Sequence, residues 1–564
     1  MILKEEIKKF FVGDVSDDNE TIIKYSRDAS LFEVRPKVVV FPKNVDDIKK
    51  LVKWVTRTKK DDKSLSLTAR SAGTVMSGGP LNESIIIDFT KYLHGVIGFY
   101  KNSARVLPGT FYRDFEKETL EQNLILPSFP ASKGICAIGG IVSNNSGGEK
   151  TLKYGKTEDY INELKVIFSD GNEYVVKPLN KKELEAKIAQ GDFEGNLYKQ
   201  IYQLINRKHQ IIKHSKPTVH KNSAGYYIWN VLGHEGSEKY FDLTKLIVGS
   251  QGTLGIVTEV NFHLVQVKKY TELAVFFLKD QNMMPRLVTE LLRYHPESIE
   301  DYDDKTLRLA IKFLPQFMKG KGVWGGIKFL FSFLPDLFMM MRSGFPKAVF
   351  LAEFADDNLH RLRSAMRAGR RRFRRLHIPF RFIKKISGAE KYWNIRRESF
   401  NLLRHFVRGK KTVPFIDDVI VKPQFLSEFL PKLNAILADY PDLEYTIAGH
   451  AGDGNFHIIP LVDIQNPKIP DIVMEVSNKV YDLVVEYNGS ITAEHNDGII
   501  RTPFLYKMYN TEIIKVFKEI KEIFDPQNIF NPGKKVPLRG DGQIGSKQYI
   551  KDHIAMEQAV FLDG

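Results

Sequence analysis

Two histidines bracket a glycine turn in Ala448-Gly-His-Ala-Gly-Asp-Gly-Asn-Phe-His457, and a Glu-His pair follows in Ser490-Ile-Thr-Ala-Glu-His-Asn-Asp-Gly498. A hairpin of that length predicts His450 and His457 facing each other across two strands. Glu494 and His495, being adjacent, are expected to point to opposite sides of a strand or turn. Two imidazoles and one carboxylate make a three-ligand set that leaves coordination positions open, as a catalytic divalent cation requires. A lone histidine is more simply a hydrogen-bonded core residue; the conjunction of His450, His457 and Glu494 is what points to a metal. Tyr392-Trp-Asn-Ile-Arg-Arg-Glu398 adds two arginines, either of which could hold a carboxylate bidentately, or both of which could be solvated helix residues.

Four glycine-bearing segments precede this cluster: Arg70-Ser-Ala-Gly-Thr-Val-Met-Ser-Gly-Gly79, Ile138-Gly-Gly-Ile-Val-Ser-Asn-Asn-Ser-Gly-Gly148, Tyr154-Gly155 and Gly249-Ser-Gln-Gly-Thr-Leu-Gly255. Glycine lets several backbone N–H groups approach an anion, while Arg70, Thr74 and Ser77 add charge and hydroxyls. Any one of these loops is adequately read as a tight turn. Four together point to a cofactor bearing a diphosphate. The spacing of Gly249, Gly252 and Gly255 does not match the dinucleotide fingerprint, so a Rossmann NAD site is not supported.

The order R-x-x-G-T-x-x-x-G-G, Pro130-Ala-Ser132, G-G-x-x-x-N-x-x-G-G, Tyr154-Gly155 and G-S-x-G-T-L-G-I-V-T-E resembles the PCMH-type flavin domain of the vanillyl-alcohol-oxidase superfamily. The second half resembles the C-terminal domain of FAD-linked D-lactate, glycolate and D-2-hydroxyglutarate dehydrogenases. Together the two likenesses run from about Val34 to Lys534. The resemblance implies FAD contacts from Arg70, Ser71, Gly73, Thr74, Ser77 and Gly78 in the first loop, then from Pro108, Gly109 and Ser132. Gly139, Gly140, Ser143, Asn144, Gly147, Gly148 and Tyr154 would follow, with Gly252, Gly255 and Ile256 on the adenine side and Asn531 near the C-terminus. Thr74 stands where relatives with covalent flavin carry histidine, so the FAD is expected to be non-covalent. The resemblance further implies zinc or a similar metal on His450, His457 and Glu494, with His495 as a base of near-neutral pKa and Arg396, backed by Arg397, as carboxylate clamp. Asn496 replaces a glycine common among relatives. The implied reaction is oxidation of a D-2-hydroxy acid, D-lactate foremost, with hydride passing to flavin. An oxygen-using oxidase is the alternative.

These groups need an ordinary folded enzyme to position them. At 564 residues and 43% hydrophobic, the chain predicts several packed units with substantial cores. One cysteine, Cys136, excludes a disulfide framework and fits a reducing compartment. The N-terminus lacks an apolar signal segment, so a cytoplasmic location is expected. Strands are predicted at Lys37–Phe41, Ser64–Thr68, Ser84–Asp88, Leu273–Phe277 and Ala348–Ala352, with an Asn44-capped helix carrying Ile48, Leu51, Val52 and Val55 on one face. The fold class is α+β: a two-lobed flavin domain over 34–268, after a helical lead-in over 1–33, and a cap domain over 269–500 with a helix-covered antiparallel sheet. Residues 501–535 return to the flavin domain, and 536–564 form a peripheral tail.

The net charge of +15 is concentrated in two stretches, Lys305–Lys347 and Asn358–Gly388, and the remainder is slightly acidic. The first stretch is an insertion mixing Phe, Leu, Met and Trp324 with lysines. Lys328, Pro335 and Asp336 break any run long enough to span a bilayer. With the arginines at 361–375 it suits an anionic membrane surface, on the inner face of the cell membrane, where a quinone would reoxidise the flavin. A nucleic-acid binder is the competing class for so basic a chain, but no recognised binding signature is present.

Overall fold

The structure, a computed structural model, describes residues 3–235, 238–312, 331, 333–384, 388–397, 410–463, 465–537 and 546–555. Most of the basic-apolar insertion expected at 305–347, including Trp324 and Lys328, lies outside them.

Short strands flanking amphipathic helices open the chain. β1 (Asp14–Ser16), β2 (Val38–Phe41), β3 (Leu67–Arg70) and β4 (Ile85–Asp88) form a sheet in the order β1-β2-β4-β3, with β2 and β3 both parallel to β4. The lead-in is therefore not purely helical, since β1 adds an antiparallel edge to β2. The strand expected at Ser64–Thr68 sits a few residues later, and its end carries Arg70 to the start of the first glycine loop. α1 (Val45–Thr58) begins as expected, Asn44 accepting the Asp47 N–H at 3.0 Å.

β5 (Val96–Tyr100), β6 (Ser103–Val106), β7 (Ile161–Ile167), β8 (Glu173–Val176) and β9 (Ile256–His263) make a five-stranded antiparallel sheet ordered β5-β6-β9-β7-β8. Its core is shared with α2 (Thr511–Phe524), through Ile513, Val516, Phe517, Ile520 and Phe524. Residues from the far end of the chain thus pack onto the first half, where Asn531 is also hydrogen-bonded to Thr68.

The second half is built on eight antiparallel strands. β10 (Tyr270–Leu278), β11 (Ser298–Asp303) and β12 (Ala348–Asp356) pair centrally, and β13 (Phe380–Ile383) edges β10. β14 (Glu444–His450) joins β11, and β15 (Asn455–Val462) completes the hairpin that carries the two histidines. Two short strands, at 411–412 and 419–420, both pair with β15.

Strand alternation divides the apolar side chains of this sheet between two cores. Ala274, Phe276, Phe350 and Ala352 pack under α3 (Leu359–Arg374) through Leu362, Met366 and Phe373. Leu273, Val275, Val349 and Leu351 pack under α4 (Leu334–Ser343) through Met339 and Met340. The arginine-rich helix and the apolar helix therefore cover opposite faces, so they do not form one basic-apolar surface as expected.

The final described segment is not peripheral. Tyr549 and Ile550 are buried, Phe32 pairs with Ile554, and Glu33 and Ala555 exchange backbone hydrogen bonds with His553 and Leu31. Among the described residues, no helix is long and apolar enough to cross a membrane.

Candidate active site

The turn between β14 and β15 can be closed only by glycine at position 454: its φ is 77°, and a Cβ there would lie 1.9 Å from the Val421 carbonyl. The resulting register opposes Ala448 to His457 and His450 to Asn455. His450 and His457 are thus diagonal neighbours on one face, not directly opposite, with ring centroids 5.2 Å apart. Glu494 and His495 also share one cavity wall rather than diverging. His450 Nε2 lies 3.5 Å from Glu494 Oε1, and the ligand atoms of His450, His457 and Glu494 lie within 4.8 Å of one another.

Two adjacent carboxylates arrange this wall. Asp418 is buried and its Oδ2 accepts the backbone N–H groups of Glu494 at 2.8 Å and His495 at 2.7 Å, and the Thr492 hydroxyl at 2.7 Å. Asp417 bridges two imidazoles, reaching His457 Nδ1 at 3.0 Å and His495 Nδ1 at 2.5 Å. The two rings stack at 5.0 Å and 18°. Asn496 adopts φ 69°, a conformation asparagine tolerates. Its side chain donates to the Gly249 carbonyl at 2.8 Å and accepts from Lys535 at 2.6 Å, tying the Glu494–His495 loop to the fourth glycine segment.

These partners shift the protonation equilibria. Burial opposes a charged His495, but Asp417 and Asp418 outweigh it and raise its pKa to about 9, not the near-neutral value expected. His450 is likewise raised to about 9 against burial, by Glu300, whose Oε1 is 2.7 Å from its Nδ1. Burial lowers His457. Glu494 is held well below the usual carboxylate range because Lys221 and His450 overcome its burial.

One cavity joins this cluster to the glycine loops. His450, His457, Glu494 and His495 line it together with Arg70, Ser71, Gly73, Thr74, Pro108, Ser132, Gly139, Gly140, Ser143, Asn144, Gly147, Gly252 and Gly255. A Cβ built on Gly140 meets nothing within 4 Å. Arg70 is present but committed elsewhere: its guanidinium donates to the carbonyls of Tyr25 and Arg27, at 3.2 and 2.7 Å, and lies over the Tyr25 ring. It braces the loop from beneath rather than aiming its charge at a diphosphate.

Seven expected contacts fall outside the lining. Ser77 and Gly78 pack against the segment at Ile499, and Asn531 staples Thr68, Gly79 and Gln251 together. Gly109 and Gly148 are sites of close backbone approach, to the Phe89 and Phe129 carbonyls. Tyr154 hydrogen-bonds Glu297, and Ile256 belongs to the core beneath the first sheet. Arg396 also lies outside: it is 3.2 Å from Glu300, so as placed it supports His450 through Glu300 rather than clamping a substrate. Arg397 donates two hydrogen bonds to Glu149, one to each carboxylate oxygen.

Sequence reasoning missed Glu300, Asp417, Asp418 and Lys221. Asp417-Asp418 interrupts the apolar run Val413–Val421, and two charges inside such a run are a usable signal of buried, partnered carboxylates. Lys221 offers no comparable signal.

Comparison with known families agrees with this geometry. The FAD binding domain family matches residues 36–177, and the family described as FAD linked oxidases, C-terminal domain, matches residues 267–535. The chain carries both domains, one matching the FAD binding domain family and the other the C-terminal domain of FAD linked oxidases. It is 26% identical over 553 residues to a D-2-hydroxyglutarate dehydrogenase of Escherichia coli (strain K12), covering 95% of this chain but 52% of that protein, so it spans about half the relative's length. It is 23% identical to a D-lactate dehydrogenase of Anaerostipes hadrus, covering 93% of this chain and 94% of that protein. The substrate-bound structure of p-cresol methylhydroxylase superposes with a TM-score of 0.65 at 15% identity, over 93% of this chain and 95% of that one, which shows a shared fold.

Proposed function

We propose that this chain, with its FAD binding domain and FAD-linked oxidase C-terminal domain, oxidises a D-2-hydroxy acid, foremost D-lactate, to the 2-oxo acid, using non-covalent FAD and a divalent cation, zinc. The observation that carries the reading is the single cavity lined both by the glycine loops and by His450, His457, Glu494 and His495. End-to-end similarity to proteins named D-lactate dehydrogenase and D-2-hydroxyglutarate dehydrogenase supports a D-2-hydroxy acid as the substrate class.

The residues suit both groups. Gly140 leaves open space for a flat, phosphate-bearing ligand, while Gly139 and Gly147 let the same wall pack closely on Ser71 and Thr151, and a mixed nitrogen–oxygen donor set suits a borderline dication. Bound FAD supplies a two-electron acceptor, and the cation on His450, His457 and Glu494 supplies Lewis acidity toward the substrate oxygens. The protein's own part is proton transfer and orientation. With Nδ1 on Asp417, His495 presents Nε2 to take the hydroxyl proton once it has lost its own, which its pKa of about 9 makes more available as pH rises, and Asp417 stabilises the imidazolium that results. Glu300 holds His450 in orientation, as carboxylate partners of ligand histidines do. Metal on His450 requires loss of its proton, so loading weakens as pH falls through about 9.

The test is anaerobic: purified protein is mixed with D- and L-forms of several 2-hydroxy acids, with metal analysis on the same sample. D-lactate should bleach the flavin fastest. Bleaching by L-isomers alone, or by none, refutes the reading.

A membrane quinone remains the proposed acceptor, reached from the inner face of the cell membrane. Support comes from α4, where Leu334, Leu337, Phe338 and Met341 form an exposed apolar stripe at helical spacing, 50–78% exposed. The arginines of α3, on the other sheet face, do not extend it. Phe338→Asp with Met341→Asp should abolish co-sedimentation with anionic vesicles; undiminished pelleting would discard the membrane assignment.

A further inference from the structure

Lys221 plays no part in the chemistry above, yet it is completely buried beside a proposed ligand. The segment carrying it is stitched to the Glu494 loop. Ser223 N donates to the Thr492 carbonyl at 2.9 Å, Ser223 Oγ to the Ala493 carbonyl at 3.0 Å, and Ser490 Oγ to Asn222 Oδ1 at 2.7 Å. Lys221 Nζ lies 2.9 Å from Asp453 Oδ2 and hydrogen-bonds Glu494 Oε1. That same oxygen lies 3.5 Å from His450 Nε2. Asp453 is itself buried, and its other oxygen pairs with the half-exposed His220.

A buried ammonium is stabilised by neighbouring carboxylates, and two nearby buried carboxylates repel each other less with a cation between them. Lys221, placed between Asp453 and Glu494, meets both needs. The atom through which Lys221 does so is the Glu494 oxygen nearest His450. We propose that Lys221 is the resident counter-cation of the ligand cluster, occupying Glu494 Oε1 until a divalent cation takes that oxygen. Metal binding at this site is then an exchange of an ammonium for a metal ion on one carboxylate, and the displaced Nζ stays paired with Asp453. This rests on the metal reading above, and it adds that the chain carries its own competitor for the site, which sets how tightly metal is held and keeps the cluster assembled without it.

Competition and mere orientation predict opposite signs. If Lys221 competes, removing its charge leaves two carboxylates facing the dication and tightens binding, on the order of tenfold. If Lys221 only orients Glu494, removal weakens binding. The experiment titrates metal-stripped full-length wild type, Lys221→Met, Lys221→Arg and Glu494→Gln with Zn²⁺ by calorimetry, and follows thermal unfolding with and without Zn²⁺. Lys221→Met should bind Zn²⁺ roughly tenfold more tightly, unfold at lower temperature when metal-free, and recover more on Zn²⁺ addition than wild type does. Lys221→Arg, which keeps the charge, should stay close to wild type in metal-free stability. Unchanged or weaker Zn²⁺ binding by Lys221→Met overturns the proposal while leaving the metal site intact. Wild type that binds no Zn²⁺, or Glu494→Gln that binds it equally well, overturns the metal reading and the proposal with it. Should Lys221→Met fail to fold without metal, Lys221→Gln, which keeps a hydrogen-bond donor, carries the same comparison.

Discussion

His495→Asn should slow reduction of the bound flavin by the 2-hydroxy acid by about 10²- to 10⁴-fold, the range for loss of a positioned general base, while the protein stays yellow. The asparagine side chain is smaller than the imidazole and can still hydrogen-bond toward Asp417, so the wall formed by Asp417, His457 and Glu494 keeps its shape. The His495 ring hydrogen-bonds Asp417, which lies outside the glycine loops at 70–79 and 139–147. Stopped-flow absorbance of the flavin under anaerobic conditions, with cofactor content measured on the same preparation, separates the two effects. Reduction at the wild-type rate would mean that another group takes the proton. Loss of the flavin itself would mean that His495 is part of the cofactor site, not the base.

Asp417→Asn is the second substitution with a large expected effect, and it tests a residue that only the folded protein reveals. Its two carboxylate oxygens hold Nδ1 of His457 and Nδ1 of His495, fixing the tautomer of both rings at once. An amide presents one acceptor and one donor, so at most one of the two imidazoles keeps its present hydrogen bond. Loss of the charge also removes the main influence raising His495 against its burial, so the pKa of His495 should fall. Partners of this kind typically contribute about 10- to 100-fold to metal affinity or activity. The expected result is flavin reduction slower by about that factor, with zinc content reduced in parallel. Zinc content and reduction rate both matching wild type would show that neither ring depends on Asp417 for its orientation.

The chain's elements were legible where local periodicity and capping act. The Asn44 cap, the helix after it and the strands at 38–41, 85–88, 270–278 and 348–356 follow from apolar patterns that each segment satisfies on its own. The strand read at 64–68 is shifted because Leu67 pairs with Ile85 and hydrogen-bonds the Ile529–Asn531 segment, over 450 residues away, which no local window contains. The closing segment read as peripheral is held by the same kind of distant partner, at Leu31–Glu33.

The sequence by itself determined which groups this protein has available: glycine loops able to admit a phosphate-bearing cofactor, and two histidines with a glutamate of metal-ligand type. Residue chemistry and short-range spacing are enough for that. Only the tertiary structure decided how those groups are held and which of them meet. It turned Arg70 toward the Tyr25 and Arg27 carbonyls, withdrew Arg396 behind Glu300, and set Asp417, Asp418 and Lys221 beneath the ligand cluster. The reason is electrostatic: a buried charge must find a partner of opposite sign or a ring of dipoles. In this fold those partners come from segments far apart in the chain, so the pairing is a property of the packed molecule and of no stretch within it.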